Sequence, residues 1–167
     1  MTPDAAHPDT ARVWSWLAEV PDPEIPVVSL VDLGIVRAVA WQDDTLEVTV
    51  TPTYSGCPAT AVIDLEIERA LRAHGIDKLR LKRQLSPAWT TRWISEAGRR
   101  KLRDYGIAPP EEGALCAGQL AAEPHALTCP HCGSTDTERI SQFGSTPCKA
   151  SYRCRACLEP FDYFKPF

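Results

Sequence analysis

The sequence predicts an α/β (α+β) fold: a small three-stranded mixed sheet covered by helices, followed by a C-terminal zinc ribbon. Helical and strand-like hydrophobic periodicities alternate through the N-terminal part of the chain. Two C-x-x-C pairs, at residues 129–132 and 154–157, lie near its end. With 167 residues, 44% of them hydrophobic, the chain can form one modest core and one small metal-stabilised module.

The first predicted helix spans residues 10–20, where apolar residues recur at helical intervals. It must end before residues 22–26, because closely spaced prolines remove backbone donors and favour extended geometry. In this stiff loop Asp22 and Glu24 are two residues apart, so both carboxylates are expected on the same side. An ordinary solvated acidic turn is the alternative.

A β-hairpin is predicted over residues 35–50, because apolar and polar residues alternate on both sides of an acidic turn. A second helix over residues 59–75 and a third strand over residues 79–82 follow. The crossover through this helix makes one strand pair of the sheet parallel. A last helix over residues 95–105 completes the predicted order of helix, strand, strand, helix, strand, helix.

The predicted domains are an assembly-type domain at residues 10–106, a linker at 107–126 and a four-cysteine zinc ribbon at 127–167. The linker is assigned because its composition changes to Pro, Ala, Gly and Glu.

The composition argues against membrane and nucleic-acid partners. The formal net charge is -4, and no apolar run is long enough to cross a bilayer. No signal-peptide pattern precedes residue 10, and an odd number of cysteines in metal-like spacing suits a reducing compartment. A cytoplasmic location is therefore expected. The basic cluster at residues 99–103 is interpreted as a solvated face, or as a docking site for a phosphate or an acidic partner.

The strongest motif is the pair of C-x-x-C turns. Each turn directs two thiolates at one point, and two facing turns form the tetrahedral all-sulfur cage that suits Zn²⁺. The predicted ligands of a structural zinc are therefore Cys129, Cys132, Cys154 and Cys157. Iron could occupy the same cage. His131 lies inside the first turn, but four cysteines already complete the tetrahedron.

Cys57 is the other candidate site residue. A lone cysteine is usually a small buried hydrophobe. However, the sequence Gly56-Cys57-Pro58 places this thiol at the N-terminal cap of the second helix, where free amides and the helix dipole favour a thiolate. Such a thiolate could be a nucleophile or a soft metal ligand. No base or oxyanion pocket is evident, so no catalytic residue is predicted. The hydroxyl residues of the preceding loop are Thr51, Thr53 and Ser55.

Two cysteines remain. Cys148 lies between the zinc turns and cannot be a fifth ligand of a filled tetrahedral site. It is either a packed small residue or a second thiol that binds iron transiently. Cys116 lies in the predicted linker and has no assigned role.

Three segments resemble the SufT-like metal-sulfur cluster assembly family, which includes cytosolic targeting factors of iron-sulfur maturation. They are DPEIP at residues 22–26, VDLGIV at 31–36 and TPTYSGCPA at 51–59. The added ribbon, with GSTPCKA at residues 144–150, makes the chain similar to the PaaD family of phenylacetate-degradation accessory proteins.

This resemblance implies an iron-sulfur-assembly-like fold and a non-enzymatic accessory role in cluster maturation or delivery. The implied partners are iron-sulfur assembly proteins and the oxygenase or reductase components of the phenylacetyl-CoA epoxidase, whose reductase carries an iron-sulfur centre. By matching position, Cys57 is the functional thiol and a labile cluster ligand, and Asp22 and Glu24 belong to the signature loop. The alternatives are a non-catalytic subunit or scaffold of the oxygenase without its own cluster, and a zinc-ribbon nucleic-acid-binding regulator.

One exposed thiol cannot hold a cluster alone, because iron-sulfur clusters commonly take four cysteine ligands. The remaining ligands are expected from a second protomer in a homodimer, from Cys148, or from the client protein.

Overall fold

The structure, a computed structural model, describes residues 7–54, 56–110 and 127–166. The chain divides into two compact units, Met1–Trp89 and Thr90–Phe167. Each unit has its own β-sheet. Among the described residues, no helix has both the length and the apolar character that membrane crossing requires.

The first unit is built around a three-stranded sheet with β2 in the centre. Its elements are α1 (Thr10–Leu17), β1 (Val36–Gln42), β2 (Thr45–Val50), α2 (Thr60–Ala73) and β3 (Leu79–Arg83). Strand β2 pairs with β1 antiparallel and with β3 parallel. The predicted mixed sheet and its parallel crossover through α2 are confirmed.

Both helices of this unit are amphipathic and bury one face. Helix α1 contacts α2 and β1. The buried side chains of the two helices recur every four residues, as a helix that covers a core requires: Val13, Leu17, Ile63, Ile67 and Leu71. Burial of an aliphatic side chain of this size contributes about 1.5 to 3 kcal/mol relative to exposure.

The first helix is shorter than the sequence predicts, since α1 ends at Leu17 and not at Val20. The amide of Val20 bonds to the carbonyl of Leu17, which closes the chain into a turn. Pro21 follows directly, and a residue before proline is disfavoured in the helical region. The apolar periodicity therefore extends beyond the helix, because Val20 is buried as part of the loop.

The proline-rich loop between α1 and β1 is held by side-chain caps. The carboxylate of Asp22 accepts hydrogen bonds from the amides of Glu24 (2.9 Å) and Ile25 (2.8 Å) through the same oxygen, Oδ1. Ser29 and Asp32 cap each other's amides with their side chains, at 3.0 and 3.1 Å. Asp22, Ser29 and Asp32 are all buried, so the loop is an ordered part of the fold.

The described residues of the second unit form one α-helix and a four-stranded sheet. Its elements, after a 3-10 turn at Thr91–Trp93, are α3 (Glu96–Asp104), β4 (Ile107–Ala108), β5 (Thr137–Ser141), β6 (Lys149–Cys154) and β7 (Pro160–Phe164). The strand order is β4-β7-β6-β5, with β4 parallel to β7 and the other neighbours antiparallel.

The beginning of the predicted linker is structured. Gly106 has a φ of 90°, a conformation that suits glycine, and it turns the chain from α3 into β4. Residues 107 and 108 therefore pair with β7, and α3 belongs to the same compact unit as the ribbon. The structural division falls at residue 89, earlier than the boundary after residue 106 suggested by the sequence. The rest of the predicted linker, residues 111–126 with Cys116, lies outside the described residues.

The core of the second unit is small and partly made of cysteine. Its buried members include Leu127, Tyr152, Phe161 and Tyr163, together with Cys129 and Cys154. The rings of Tyr152 and Tyr163 meet edge to face, with centroids 5.7 Å apart.

Replacing Asp22 tests whether its carboxylate is needed for the fold. Asp22→Ala leaves two amides without their acceptor, so the free energy of unfolding should fall by about 2 kcal/mol. Asp22→Asn keeps an oxygen at Oδ1 and should retain most of that stability. Urea denaturation followed by tryptophan fluorescence measures both variants.

The exposed Asp77 provides the matched control, and Asp77→Ala should change the unfolding free energy by less than about 0.5 kcal/mol. An Asp22→Ala variant as stable as the wild type would contradict the capping role.

Candidate functional site

The four cysteines of the C-x-x-C pairs converge on one point in the second unit. Their Sγ atoms all lie within 4.8 Å of one another. The Sγ atoms of Cys129 and Cys157 are 3.8 Å apart, and those of Cys132 and Cys154 are 3.6 Å apart. A tetrahedral site with metal-sulfur bonds of about 2.3 Å has sulfur-sulfur edges of about 3.8 Å. The cage therefore fits one metal ion of the size of Zn²⁺.

Backbone hydrogen bonds position the first ligand pair. The amide of Cys129 donates to the carbonyl of Ser134, and the amide of Gly133 donates to the carbonyl of Cys129, both at 2.9 Å. Gly133 has a φ of 77°, and nothing lies within 4 Å of a Cβ at this position, so the turn needs glycine for its backbone conformation. Cys129 is 1% exposed, whereas Cys132 faces solvent.

The second ligand pair follows the end of β6. Cys154 is its last residue and is fully buried, and the amide of Cys157 donates to the Cys154 Sγ at 3.5 Å. This amide is the main cause that lowers the pKa of the Cys154 thiol to about 6. A lowered pKa favours the thiolate, which is the state a metal ligand requires.

Two further residues of this unit lie outside the cage. His131 is exposed and is not a member of the four-sulfur group. Cys148 immediately precedes β6, is 3% exposed, and has its Sγ 3.0 Å from the Thr146 hydroxyl. Burial lowers the pKa of Lys165, and its electrostatic interaction with Cys148 acts in the opposite direction.

Cys57 is placed differently from the sequence-based expectation. The N-cap of α2 is Ala59, and a separate turn precedes the helix: the carbonyl of Cys57 accepts hydrogen bonds from the amide (3.2 Å) and hydroxyl (2.7 Å) of Thr60. The prediction that Cys57 is itself the helix cap is wrong. The thiol was also expected to be exposed, but Cys57 is only 8% exposed.

Gly56, the residue before Cys57, has open space on the side where a side chain would lie. Gly56 has a φ of 81°, is exposed, and has no atom within 4 Å of the position that a Cβ would take. Among the described residues, the Cys57 thiol forms no hydrogen bond.

The sheet places the loop with Asp22 and the turn with Cys57 at the same end of the first unit. The first residue of β1, Val36, pairs with the last residue of β2, Val50. The amide of Thr51 then bonds to the carbonyl of Ile35 at 2.8 Å, which joins the two loops where they leave the sheet. The segment after β3 leaves at this end too, because β3 is parallel to β2.

Asp22 and Glu24 do not project together from the loop as the sequence suggests. Asp22 is 5% exposed and its Oδ1 is directed at backbone amides, whereas Glu24 is half-buried. The expectation that side chains two residues apart lie on the same side holds for an extended segment. It fails here because the loop is a capped turn.

Two buried oxygen atoms in this unit were not identified as notable from the sequence. Thr51 Oγ1 and Asp64 Oδ1 have no hydrogen-bond partner among the described residues. Thr51 follows β2 directly, and Asp64 uses its other oxygen to pair with Arg83 at the end of β3. A buried oxygen without a partner is a place where water or another small donor is expected. Thr51 was noted only as a loop hydroxyl, and Ser55 lies outside the described residues.

Comparisons with known protein families match both parts of the chain. The family described as iron-sulfur cluster assembly protein matches residues 10–77, and the PaaD zinc beta ribbon domain matches residues 116–165. Among solved structures, a DUF59 domain of unknown function from Bacillus anthracis is 24% identical with a TM-score of 0.52. It covers 55% of this chain and 89% of its own, and it supports the fold of the N-terminal part.

A conserved hypothetical protein from Thermotoga maritima is 26% identical with a TM-score of 0.48, covering 56% of this chain and 93% of its own. An Escherichia coli K12 protein, named as a putative subunit of the 1,2-phenylacetyl-CoA epoxidase, is 47% identical over 160 residues. That match covers 96% of this chain and 94% of the relative. The resemblance predicted from the motifs is confirmed: the chain belongs to the PaaD family.

Proposed function

We propose that this protein is a non-enzymatic accessory factor that matures or delivers iron-sulfur clusters for a multicomponent oxygenase. The client is the phenylacetyl-CoA epoxidase system, in particular its iron-sulfur reductase. The similarity to a relative named as a subunit of that epoxidase supports the client, and the assembly-type domain supports the cluster. The observation that carries the proposal is the Cys57 thiol, which forms no hydrogen bond with the described residues and lies in an irregular turn of an iron-sulfur-assembly fold.

The metal of the cysteine cage is zinc, and its role is structural. The sulfur-sulfur distances fit a Zn²⁺-sized ion, and the matching ribbon family is a zinc ribbon. Zinc bound to four thiolates has no open coordination position, so it stabilises the ribbon and takes no part in chemistry. Three of the seven cysteines then remain for other roles.

The cargo is an iron ion or cluster that is bound through Cys57 and then released. One cysteine supplies one of the four ligands that a cluster usually takes, so the others come from a second protomer, from Cys148 or from the client. Incomplete ligation keeps the cargo labile, which a carrier requires. Asp22 and Glu24 shape the loop at the same end of the sheet as Cys57. The expected setting is the cytoplasm, where thiols remain reduced.

The burial of Cys57 favours a second candidate function. A thiol that is 8% exposed is poorly placed for ligand exchange, and the relative is named as an epoxidase subunit. In this alternative, the protein is a non-catalytic subunit or scaffold of the oxygenase and carries only zinc.

The zinc assignment is tested by Cys154→Ser, with Cys148→Ser as the matched control. Both residues are buried cysteines, but only Cys154 belongs to the cage. We expect about one zinc per chain in the wild type and in Cys148→Ser, and loss of most of it in Cys154→Ser. Plasma mass spectrometry of protein dialysed against a mild chelator gives the ratio. Full zinc content in Cys154→Ser would contradict the four-cysteine site.

The carrier role is tested by anaerobic reconstitution with iron and sulfide. Wild-type protein should retain both elements after desalting, whereas Cys57→Ser should retain only background amounts because the cargo has lost its ligand. Cys116→Ser, which removes a thiol without an assigned role, should behave as wild type. Iron, acid-labile sulfide and zinc are measured in all three proteins.

Unchanged zinc in Cys57→Ser shows that the ribbon is intact. Equal iron and sulfide in wild type and Cys57→Ser would remove Cys57 from the ligand set, and zinc alone in every protein would favour the scaffold alternative.

A further inference from the structure

The exposed side of α3 carries a cluster of cations. Arg100, Lys101 and Arg103 are all exposed, and together they are called the α3 basic face. Lys101 and Arg103 lie in the last turn, where a cation interacts favourably with the helix dipole. Arg100 lies before that turn, so the dipole does not explain it.

Many cations elsewhere in the chain are neutralised within the fold. Lys78 pairs with Asp44, Arg83 with Asp64, and the buried Lys149 with Asp162. Glu47 lies between Arg80 and Lys82, and Glu138 between Arg153 and Arg155. By contrast, Arg100 and Arg103 form no ion pair with any residue that the structure describes.

Helix α3, which carries these charges, is held in place by a cap, by a buried side chain and by hydrogen bonds of Arg99. The Ser95 hydroxyl caps the helix by accepting from the amide of Gly98 at 2.9 Å, and Leu102 is fully buried. Arg99, the neighbouring cation, bonds to the carbonyls of Thr91 and Pro110. Arg99 therefore holds the helix in place through these hydrogen bonds. Arg100 and Arg103 lie three residues apart on one side of the helix and remain available for a binding partner.

The composition of this side of the helix favours a protein over a nucleic acid as its partner. The helix spans about 13 Å and has an exposed carboxylate at each end, Glu96 and Asp104, which would repel a continuous phosphate backbone. The chain as a whole has a formal charge of -4. Tyr105, at the C-cap, is 62% exposed, and exposed Tyr and Arg are enriched in the energetic centres of protein interfaces.

We propose that the α3 basic face, with Tyr105 beside it, is a docking surface for an acidic patch of a partner protein. Unpaired arginines on a rigid helix would form charge-assisted hydrogen bonds with clustered carboxylates. Such contacts accelerate association and are weakened by salt. This proposal does not depend on cargo binding at Cys57.

The test measures binding of fluorescently labelled poly-L-glutamate to the full-length zinc-loaded protein by anisotropy at low ionic strength. The variant is R100E/R103E. The control is R69E/R72E, which makes the same charge change at exposed, ion-paired arginines of α2. Binding should weaken by about tenfold or more in R100E/R103E and by less than about twofold in the control. The milder R100Q/R103Q should give an intermediate loss.

Zinc content and far-UV circular dichroism verify that each variant is folded. If the charge-reversal variant R100E/R103E does not fold, R100Q/R103Q takes its place in the comparison. Three outcomes overturn the proposal: no binding by the wild type, equal losses in variant and control, or tighter binding to single-stranded DNA than to polyglutamate with the same loss in R100E/R103E. The last outcome would assign the face to nucleic acid.

Discussion

The position of β2 between two partner strands determines where the candidate site of the first unit lies. Its antiparallel pairing with β1 brings the proline-rich loop to the end where β2 finishes, and its parallel pairing with β3 sends the next segment to the same end. A hydrogen bond from Trp89 Nε1 to the carbonyl of Leu33 joins that segment to the loop at 2.9 Å. Because β2 is central, its two pairings place the loop of Asp22, the turn of Cys57 and the segment after β3 at one end of the sheet.

The second unit depends less on a hydrophobic core than the first unit does. Its core is small, and two of the cage cysteines are part of it. In so small a unit a bound metal supplies much of the folding free energy, because the site does not exist in the unfolded chain. Metal binding and packing of the aromatic residues around Tyr152 are therefore expected to form together.

The sequence was most informative where function depends on local spacing. The two C-x-x-C pairs predicted that four sulfur atoms converge on one point, because each turn is short and its geometry is fixed within a few residues. Alternating apolar residues predicted the three strands of the first sheet, and the helical crossover predicted the parallel pair. The DPEIP and TPTYSGCPA segments predicted the family before any geometry was known.

The sequence was least informative where long-range packing decides the orientation of a side chain. Asp22 turns inward because two backbone amides need an acceptor, which spacing alone does not reveal. Cys57 is buried, and its carbonyl forms a turn with Thr60, the first residue of α2, which spacing alone does not reveal either. Strand β4 was not predicted, because two residues are too few to show a hydrophobic periodicity. Ile107 and Ala108 become a strand only by pairing with β7.

The most direct test of the proposed function examines the client. The reductase of the phenylacetyl-CoA epoxidase should be isolated from cells that carry the wild-type protein, the Cys57→Ser variant or a deletion of the chain. Its iron and acid-labile sulfide are then measured per reductase molecule. If the protein supplies clusters through Cys57, the reductase should be fully loaded only with the wild-type protein and similarly deficient in the other two strains. A fully loaded reductase in the deletion strain would contradict a role in cluster supply.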